Sequence, residues 1–84
     1  MKQSKQHEYF MTGIQRTLHN WKMENNIRNY FSYSYRFGVL KLYSPYPNSL
    51  TGHDNYRIKM LKKDLAAVGI FVKKIQVVQI NHFV

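Results

Sequence analysis

Basic side chains are the residues whose spacing most directly suggests a chemistry. Five lysines gather in the second half of the sequence: Lys59, Lys62, Lys63, Lys73 and Lys74. On a helix, at about 100° per residue, the first three fall in one sector beside an apolar stripe, with Tyr56 at its margin. Such a ridge of ammonium groups can follow a phosphate backbone or meet an acidic protein surface. The alternative is an ordinary solvated helix face.

A second cluster combines cations with aromatic rings. The stretch NYFSYSYRFGVLKLY, residues 29–43, holds six aromatic side chains. Exposed rings stack on nucleic-acid bases, a contact worth about 1–3 kcal/mol per base, while Arg and Lys bind the phosphates. The rings at odd positions alternate with polar residues, which predicts that a strand turns them toward the core: Phe31, Tyr33, Tyr35 and Phe37. The exposed binding candidates are then Tyr30, Arg36, Lys41 and Tyr43.

Part of this stretch, RFGVLKLY, resembles the aromatic strand motif of RNA-recognition domains. Phe37, Gly38, Leu40 and Leu42 match that motif within a span of eight residues. The resemblance implies a strand that presents rings to RNA. The basic residue and glycine that begin the motif are missing, and this chain starts with a predicted helix where that family starts with a strand. No family is therefore assigned.

The segment NSLTGHDN predicts a weaker anion site at the start of a helix, with His53 and Arg57 close enough in sequence to assist. The chain has four histidines, but no two have the spacing of a zinc motif, and no metal or cofactor is expected. A small basic ribonuclease can work with little more than His, Arg, Lys and Tyr, as general base and phosphate stabilisers. His53, beside Asp54 and Arg57, is the candidate for such a reaction, although no catalytic residue is assigned.

The composition favours a compact basic protein. The 84 residues carry 13 Lys and Arg against four Asp and Glu, which gives a net charge of +9. Nucleic acid is the commonest partner of such a domain. With 44% hydrophobic residues, we expect one compact domain over residues 1–84, its first few residues disordered. The lack of cysteine excludes disulfides, and the lack of a signal peptide or membrane span predicts a cytoplasmic protein.

Two helices and two strand regions must position these residues. Apolar residues recur every three or four positions at Phe10, Ile14, Leu18 and Trp21. This period predicts a helix from about Ser4 to Asn25, with Ser4 as its N-cap and Gly13 as a weak point. The period changes to two over residues 29–43. That stretch is either one strand with a bulge at Gly38 or a hairpin that turns there.

Residues 44–52 are rich in proline and hydroxyl side chains and are predicted to form a loop. A second helix follows, with Thr51 as its cap, Asp54 in a capping box and Gly69 at its end. Its apolar stripe is Ile58, Leu61, Leu65 and Val68. Residues 70–84 are β-branched and predict a strand. The order α-β(β)-α-β indicates an α+β two-layer sandwich, with two helices on one face of a two- to four-stranded sheet.

These features favour a small non-enzymatic protein that binds nucleic acid, either RNA or single-stranded DNA, through the lysines and exposed rings. An alternative is a regulatory protein or inhibitor of the kind that phages and mobile elements encode, which binds an acidic protein partner through the same residues. A toxin-like small ribonuclease is the third hypothesis. A core this small also makes a homodimer an easy source of stability. The sequence leaves these alternatives open.

Overall fold

The chain folds into two layers, one of helices and one of sheet. The computed structural model describes residues 5–81, with side chains from residue 11 onward. The elements in chain order are α1 (Lys5–Glu24), β1 (Ser32–Arg36), β2 (Val39–Ser44), α2 (Pro47–Thr51), a 3₁₀ turn (His53–Asn55), α3 (Tyr56–Ala67) and β3 (Lys74–Gln79). This order confirms the predicted α+β class, with two long helices on one face of a three-stranded sheet. The short helix α2 is an addition to the predicted order.

α1 is amphipathic, and its apolar side faces the core. Its buried apolar residues match the predicted spacing: Ile14, Leu18 and Trp21. The helix ends at a left-handed residue, Asn26 (φ 56°), and the Ile27 N–H then donates to the Lys22 carbonyl oxygen at 2.9 Å. This closure satisfies a backbone carbonyl that the helix end would otherwise leave unpaired. The predicted cap at Ser4 and the side chain of Phe10 lie outside the described residues.

Gly13, predicted to weaken α1, has a packing role. A Cβ atom at this position would lie 2.7 Å from the Cδ1 atom of Ile70, well inside van der Waals contact. Ile70 is buried and follows the end of α3. The glycine therefore lets α1 and the segment after α3 approach closely, in exchange for lower helix propensity.

Residues 29–43 form a hairpin. β1 and β2 pair antiparallel with Arg36 opposite Val39, so Phe37 and Gly38 make a two-residue turn. Both turn residues have positive φ, 51° and 80°, as type I′ hairpin turns require. Three of the four rings predicted in the core do pack against it, namely Phe31, Tyr33 and Tyr35. The prediction is wrong for Phe37, which the turn takes out of the strand and leaves 85% exposed.

The predicted loop between β2 and the second long helix contains a helix of its own. Pro47 begins α2, where its fixed φ suits the first helical turn. Thr51 is the last residue of α2, so the prediction that it caps the next helix is wrong. Asp54 and Asn55 adopt left-handed conformations, and α3 begins at Tyr56 without a side-chain cap hydrogen bond. The predicted capping box with Asp54 is therefore wrong as well.

α3 ends where the sequence predicts. Gly69 has φ 83°, and the Ile70 N–H donates to the Leu65 carbonyl oxygen at 2.9 Å. Leu61 and Leu65 are fully buried. Val68, predicted to belong to the same stripe, is 48% exposed because it lies past the last helical residue, in the cap.

β3 lies beside β2 and pairs with it in parallel, which gives the sheet order β1-β2-β3. The strand is shorter than the predicted span of 70–84, because residues 70–73 form an irregular connection from α3. Two apolar side chains of that connection are buried, Ile70 and Val72. The predicted end of the strand, residues 82–84, lies outside the described residues.

The core fills the space between the two layers. Trp21 is fully buried, and its Nε1–H donates to the Arg57 carbonyl oxygen at 2.8 Å, which ties α1 to the first turn of α3. From the sheet, Leu40 and Leu42 contribute fully buried side chains. The other buried apolar residues are Ile14, Leu18, Ile27, Leu50, Leu61, Leu65, Ile70 and Val72. The opposite face of the sheet has no covering layer among the described residues.

Candidate nucleic-acid interface

The helices cover one face of the sheet and leave the other open. Because successive residues of a strand point to opposite faces, the neighbours of the core-facing Leu40 and Leu42 point outward. The strand pairings align these outward residues in three rows: Arg36–Val39–Lys74, Ser34–Lys41–Gln76 and Ser32–Tyr43–Val78. We call these nine residues the open face. Seven of them, all except Ser32 and Val78, border a groove of about 710 Å³ together with Tyr35 and Phe37.

The open face carries three exposed cations and no carboxylate. Arg36 and Lys74 flank Val39 in one row, about 10 Å apart at two strand spacings. Lys41 stands diagonal to both, at about 7–8 Å. The four acidic residues of the sequence are all outside the strands, at Glu8, Glu24, Asp54 and Asp64. The positive charge of this face is therefore not neutralised within the sheet, and it favours an anionic ligand.

Tyr43 adds an aromatic ring to the open face. The ring is half-buried, and its hydroxyl lies 3.1 Å from the Ser34 Oγ atom, a hydrogen bond that crosses from β2 to β1. Gln76 presents an amide in the row next to the ring, and Val39 and Val78 are half-buried apolar neighbours. Ring, amide and cations together can stack on a base, hydrogen-bond its edge and bind its phosphate.

The hairpin turn forms one end of the groove. The Lys73 N–H donates to the Gly38 carbonyl oxygen at 2.7 Å, which anchors the turn to the start of β3. A Cβ at Gly38 would lie 2.9 Å from Cγ of Lys73, so the lysine stem covers the glycine. The Arg36 Cζ atom lies 5.7 Å from the centroid of the exposed Phe37 ring. Lys73 is thus at the turn end of the groove.

Four of the residues predicted to bind, Arg36, Lys41, Tyr43 and Lys74, come together on the open face. A fifth, Lys73, lies at its edge. Tyr30 is 65% exposed and precedes β1, at the end of that strand farthest from the hairpin turn.

The α3 lysines belong to a different surface. Lys59, Lys62 and Lys63, which we call the α3 ridge, are all exposed. Lys59 and Lys63 lie roughly 140–180° around the helix from the buried Leu61 and Leu65. They therefore face outward from the helical layer, on the opposite side of the molecule from the open face. Tyr56, also predicted as a margin of this ridge, is 43% exposed at the start of α3.

At the predicted anion site of His53 and Arg57, the arginine makes hydrogen bonds within the fold. The Arg57 Nη1–H donates to the Ser49 carbonyl oxygen at 2.6 Å, and its Nε–H donates to the Tyr56 hydroxyl at 3.3 Å. The first of these bonds ties α2 to α3, and the second lies within α3. His53 is exposed in the 3₁₀ turn between them. The guanidinium is thus engaged within the fold.

Five residues of the groove were not in the predicted site: Ser34, Tyr35, Phe37, Val39 and Gln76. A period of two places Gln76 on the same side as Lys74, so the sequence did hold a signal for it. Only the pairing of β2 with β3 reveals that this side meets Lys41. For Phe37, the glycine that follows it is the signal for a turn.

Neither a metal-binding cluster nor a membrane-spanning helix is seen in the part of the chain that the structure describes. Among the side chains that the structure describes, from residue 11 to residue 81, no group of three or more His, Asp or Glu is arranged to hold a metal ion. Within residues 5–81, no helix has the length and apolar character needed to cross a bilayer. Of the four histidines, the His7 side chain and His82 lie outside the described residues.

Comparison with known proteins gave no relative. No model of a protein family matches the chain, and no curated protein or solved structure matches it significantly. The stretch that resembles the RNA-recognition motif is not a continuous strand here, because Phe37 and Gly38 form the hairpin turn. Function is therefore inferred from the residues of the open face.

Proposed function

We propose that the protein binds single-stranded nucleic acid, RNA or DNA, on the open face of its sheet. The observation that carries this proposal is the convergence of Arg36, Lys41 and Lys74 with the Tyr43 ring on a surface without carboxylates. In this arrangement the cations bind phosphates and the ring stacks on a base. The Gln76 amide is then within the same groove to hydrogen-bond a base edge.

Electrostatics favour a polyanion as the ligand. The chain carries a net charge of +9, and three of its cations stand on the open face within about 10 Å of one another. Like charges at this spacing repel, and phosphates that bind between them remove the repulsion. Binding also releases counterions from the nucleic acid, so affinity must fall as the salt concentration rises.

The aromatic component favours a single strand over a duplex. A ring stacks on a base only when that base is unstacked from its neighbours, as it is in single-stranded segments. Tyr43 offers its ring from the sheet surface itself, with its hydroxyl held by Ser34. A duplex would meet the cations but not the ring. We therefore expect weaker binding to a duplex of the same sequence.

A second copy of the chain is a poor occupant of this surface. Two open faces packed against each other would oppose six cations without an acidic residue between them. An acidic protein remains the other class of partner compatible with the charge, and the binding experiment distinguishes it.

The test is a set of fluorescence anisotropy titrations with labelled oligonucleotides of about eight nucleotides. Single-stranded RNA, single-stranded DNA and duplex DNA are compared at low and physiological salt. We expect single strands to bind more tightly than the duplex. The Lys41→Glu/Lys74→Glu variant should lose about 100-fold in affinity, because two phosphate contacts become repulsive.

The matched control is Lys59→Glu/Lys63→Glu on the α3 ridge. Both double variants lower the net charge by the same amount, so a general charge effect weakens both equally. We expect no more than about a threefold loss for the ridge variant. If no oligonucleotide binds wild-type protein at low salt, the proposal is wrong, and capture of an acidic protein becomes the next experiment. Equal losses in the two variants would also contradict a site on the open face.

A further inference from the structure

The hairpin turn displays an aromatic ring that core packing does not explain. Phe37 is 85% exposed, the largest value among the exposed large hydrophobic side chains of the described residues. It stands at the end of the groove that the open face forms. A phenylalanine in this position leaves nearly all of its apolar surface in water, which favours neither folding nor solubility.

The backbone at Phe37 is also unfavourable for its side chain. Its φ of 51° lies in the left-handed region, which side chains with a bulky Cβ substituent rarely adopt. The first position of a type I′ turn prefers Asn, Asp or Gly, and Asn-Gly is the commonest pair. The sequence here is Phe-Gly. Local stability therefore favours a different residue at this position.

The ring is held in a defined place despite its exposure. The Lys73 N–H bonded to the Gly38 carbonyl oxygen fixes the turn against the start of β3. The Arg36 guanidinium lies 5.7 Å from the Phe37 ring centroid, a cation–π contact. An arginine beside an exposed ring supplies a positive group for the phosphate of a nucleotide that stacks there.

We propose that Phe37 is a stacking platform for a base at one end of the bound single strand. This inference rests on the proposed function and adds a second ring to the site, beyond Tyr43. The strand then runs along the groove between the two rings, over the cations of the open face. Two protein residues near the hairpin turn, Arg36 and Lys73, bind the phosphate next to the stacked base.

The first test is the Phe37→Asn variant. Asparagine is preferred in this turn, so we expect the melting temperature to rise by a few degrees. Loss of the ring should lower the affinity for single-stranded oligonucleotide about tenfold. A gain in stability together with a loss in binding is the signature expected of a residue retained for its ligand.

The second test uses a fluorescent ring in the same place. Trp21 is the one tryptophan of the chain and is fully buried, so wild-type protein supplies the background signal. In Phe37→Trp we expect nearly unchanged affinity and quenching of the added indole when an oligonucleotide binds, because the base stacks on it.

The matched control is Tyr46→Asn, which removes another exposed ring, located after β2 and outside the groove. Its affinity should stay within twofold of wild type. If wild-type protein binds oligonucleotide but Phe37→Asn binds as tightly, the stacking role is wrong and the proposed function stands. If wild-type protein binds no oligonucleotide, both the proposed function and this inference are wrong.

Discussion

The open face and the α3 ridge each carry three cations, yet the fold builds them in different ways. The ridge comes from one helix, and its lysines project separately into solvent, Lys59 and Lys63 on the outer side of the helical layer. The open face comes from three strands, which set its cations in fixed rows around a ring and an amide. A sheet surface therefore holds different chemical groups at defined spacings, whereas the ridge offers charge alone.

The charges around the two surfaces also differ, because acidic residues lie near the α3 ridge but not on the open face. Next to the ridge, Glu24 and Asp64 border a shallow depression between α1 and α3, so the helical layer carries both charges. The sheet contains no acidic residue. This comparison shows that a count of lysines does not locate a binding surface. The neighbours of the lysines decide whether their charge is available to a ligand.

The largest expected difference between the open face and the α3 ridge is in how their variants change the salt dependence of binding. Neutralising the open face in Arg36→Gln/Lys41→Gln/Lys74→Gln should lower affinity by at least about 100-fold at low salt. Three phosphate contacts correspond to a slope of about −2 in log affinity against log salt concentration, and the variant should bring it close to zero. Neutralising the three α3 ridge lysines to Gln should leave the slope unchanged. Anisotropy titrations over a range of salt concentrations measure both slopes, and a reduced slope in the ridge variant would move the site to the helices.

A smaller difference is expected between two tyrosines. Tyr43→Ser should weaken single-strand binding about tenfold through the loss of one stacking contact. Tyr56→Ser, beside the α3 ridge, should leave binding unchanged. Because Tyr43 is half-buried, a thermal melt must show that the variant is folded. Tyr43→Phe keeps the ring and loses the bond to Ser34, so it should restore most of the affinity. Equal binding by Tyr43→Ser and wild type would remove this ring from the site.

The smallest expected difference is in stability. Lys59 and Lys63 form a like-charge pair at positions i and i+4 of α3. Lys59→Glu converts this pair into an attractive one and places a carboxylate near the start of the helix. We expect a gain of about 0.5 kcal/mol in the free energy of unfolding. Lys41→Glu should also stabilise by a few tenths of a kcal/mol, since Arg36 and Lys74 are diagonal to it. Urea denaturation measures both. Only Lys41→Glu should lose binding, and stabilisation with unchanged binding would contradict its place in the site.

The features that depend on regularly spaced apolar residues or on a single glycine could be predicted, because they are determined by residues close together in the sequence. The spacing of Ile14, Leu18 and Trp21 set the core side of α1, and Gly69 set the end of α3. Alternation in β1 correctly separated Tyr33 and Tyr35 from the exposed Arg36. Each of these features depends on residues a few positions apart.

The errors arose where a local signal competed with another or was absent. Thr51 is a good cap residue, but Pro47 starts a helix before it, and α3 begins instead after two left-handed residues, Asp54 and Asn55. The Phe37–Gly38 turn lacks the usual asparagine, so a bulged strand was an equal interpretation. The meeting of Lys74 with Lys41 depends on a parallel register in which the paired residues of β2 and β3 are 35 positions apart, and no local pattern encodes it.

The parallel pairing of β2 with β3 also has a consequence for how the chain folds. The β1–β2 hairpin joins neighbouring residues and can form early, whereas β3 reaches β2 only after the intervening helices have closed a long loop. We therefore expect Lys74 and Gln76 to reach Lys41 late in folding, so that the groove is incomplete until all three strands have paired. A ligand that needs all three strands binds the native state and not its precursors. Such a ligand, at a free concentration one hundred times its dissociation constant, raises the free energy of unfolding of the whole domain by about 2.7 kcal/mol.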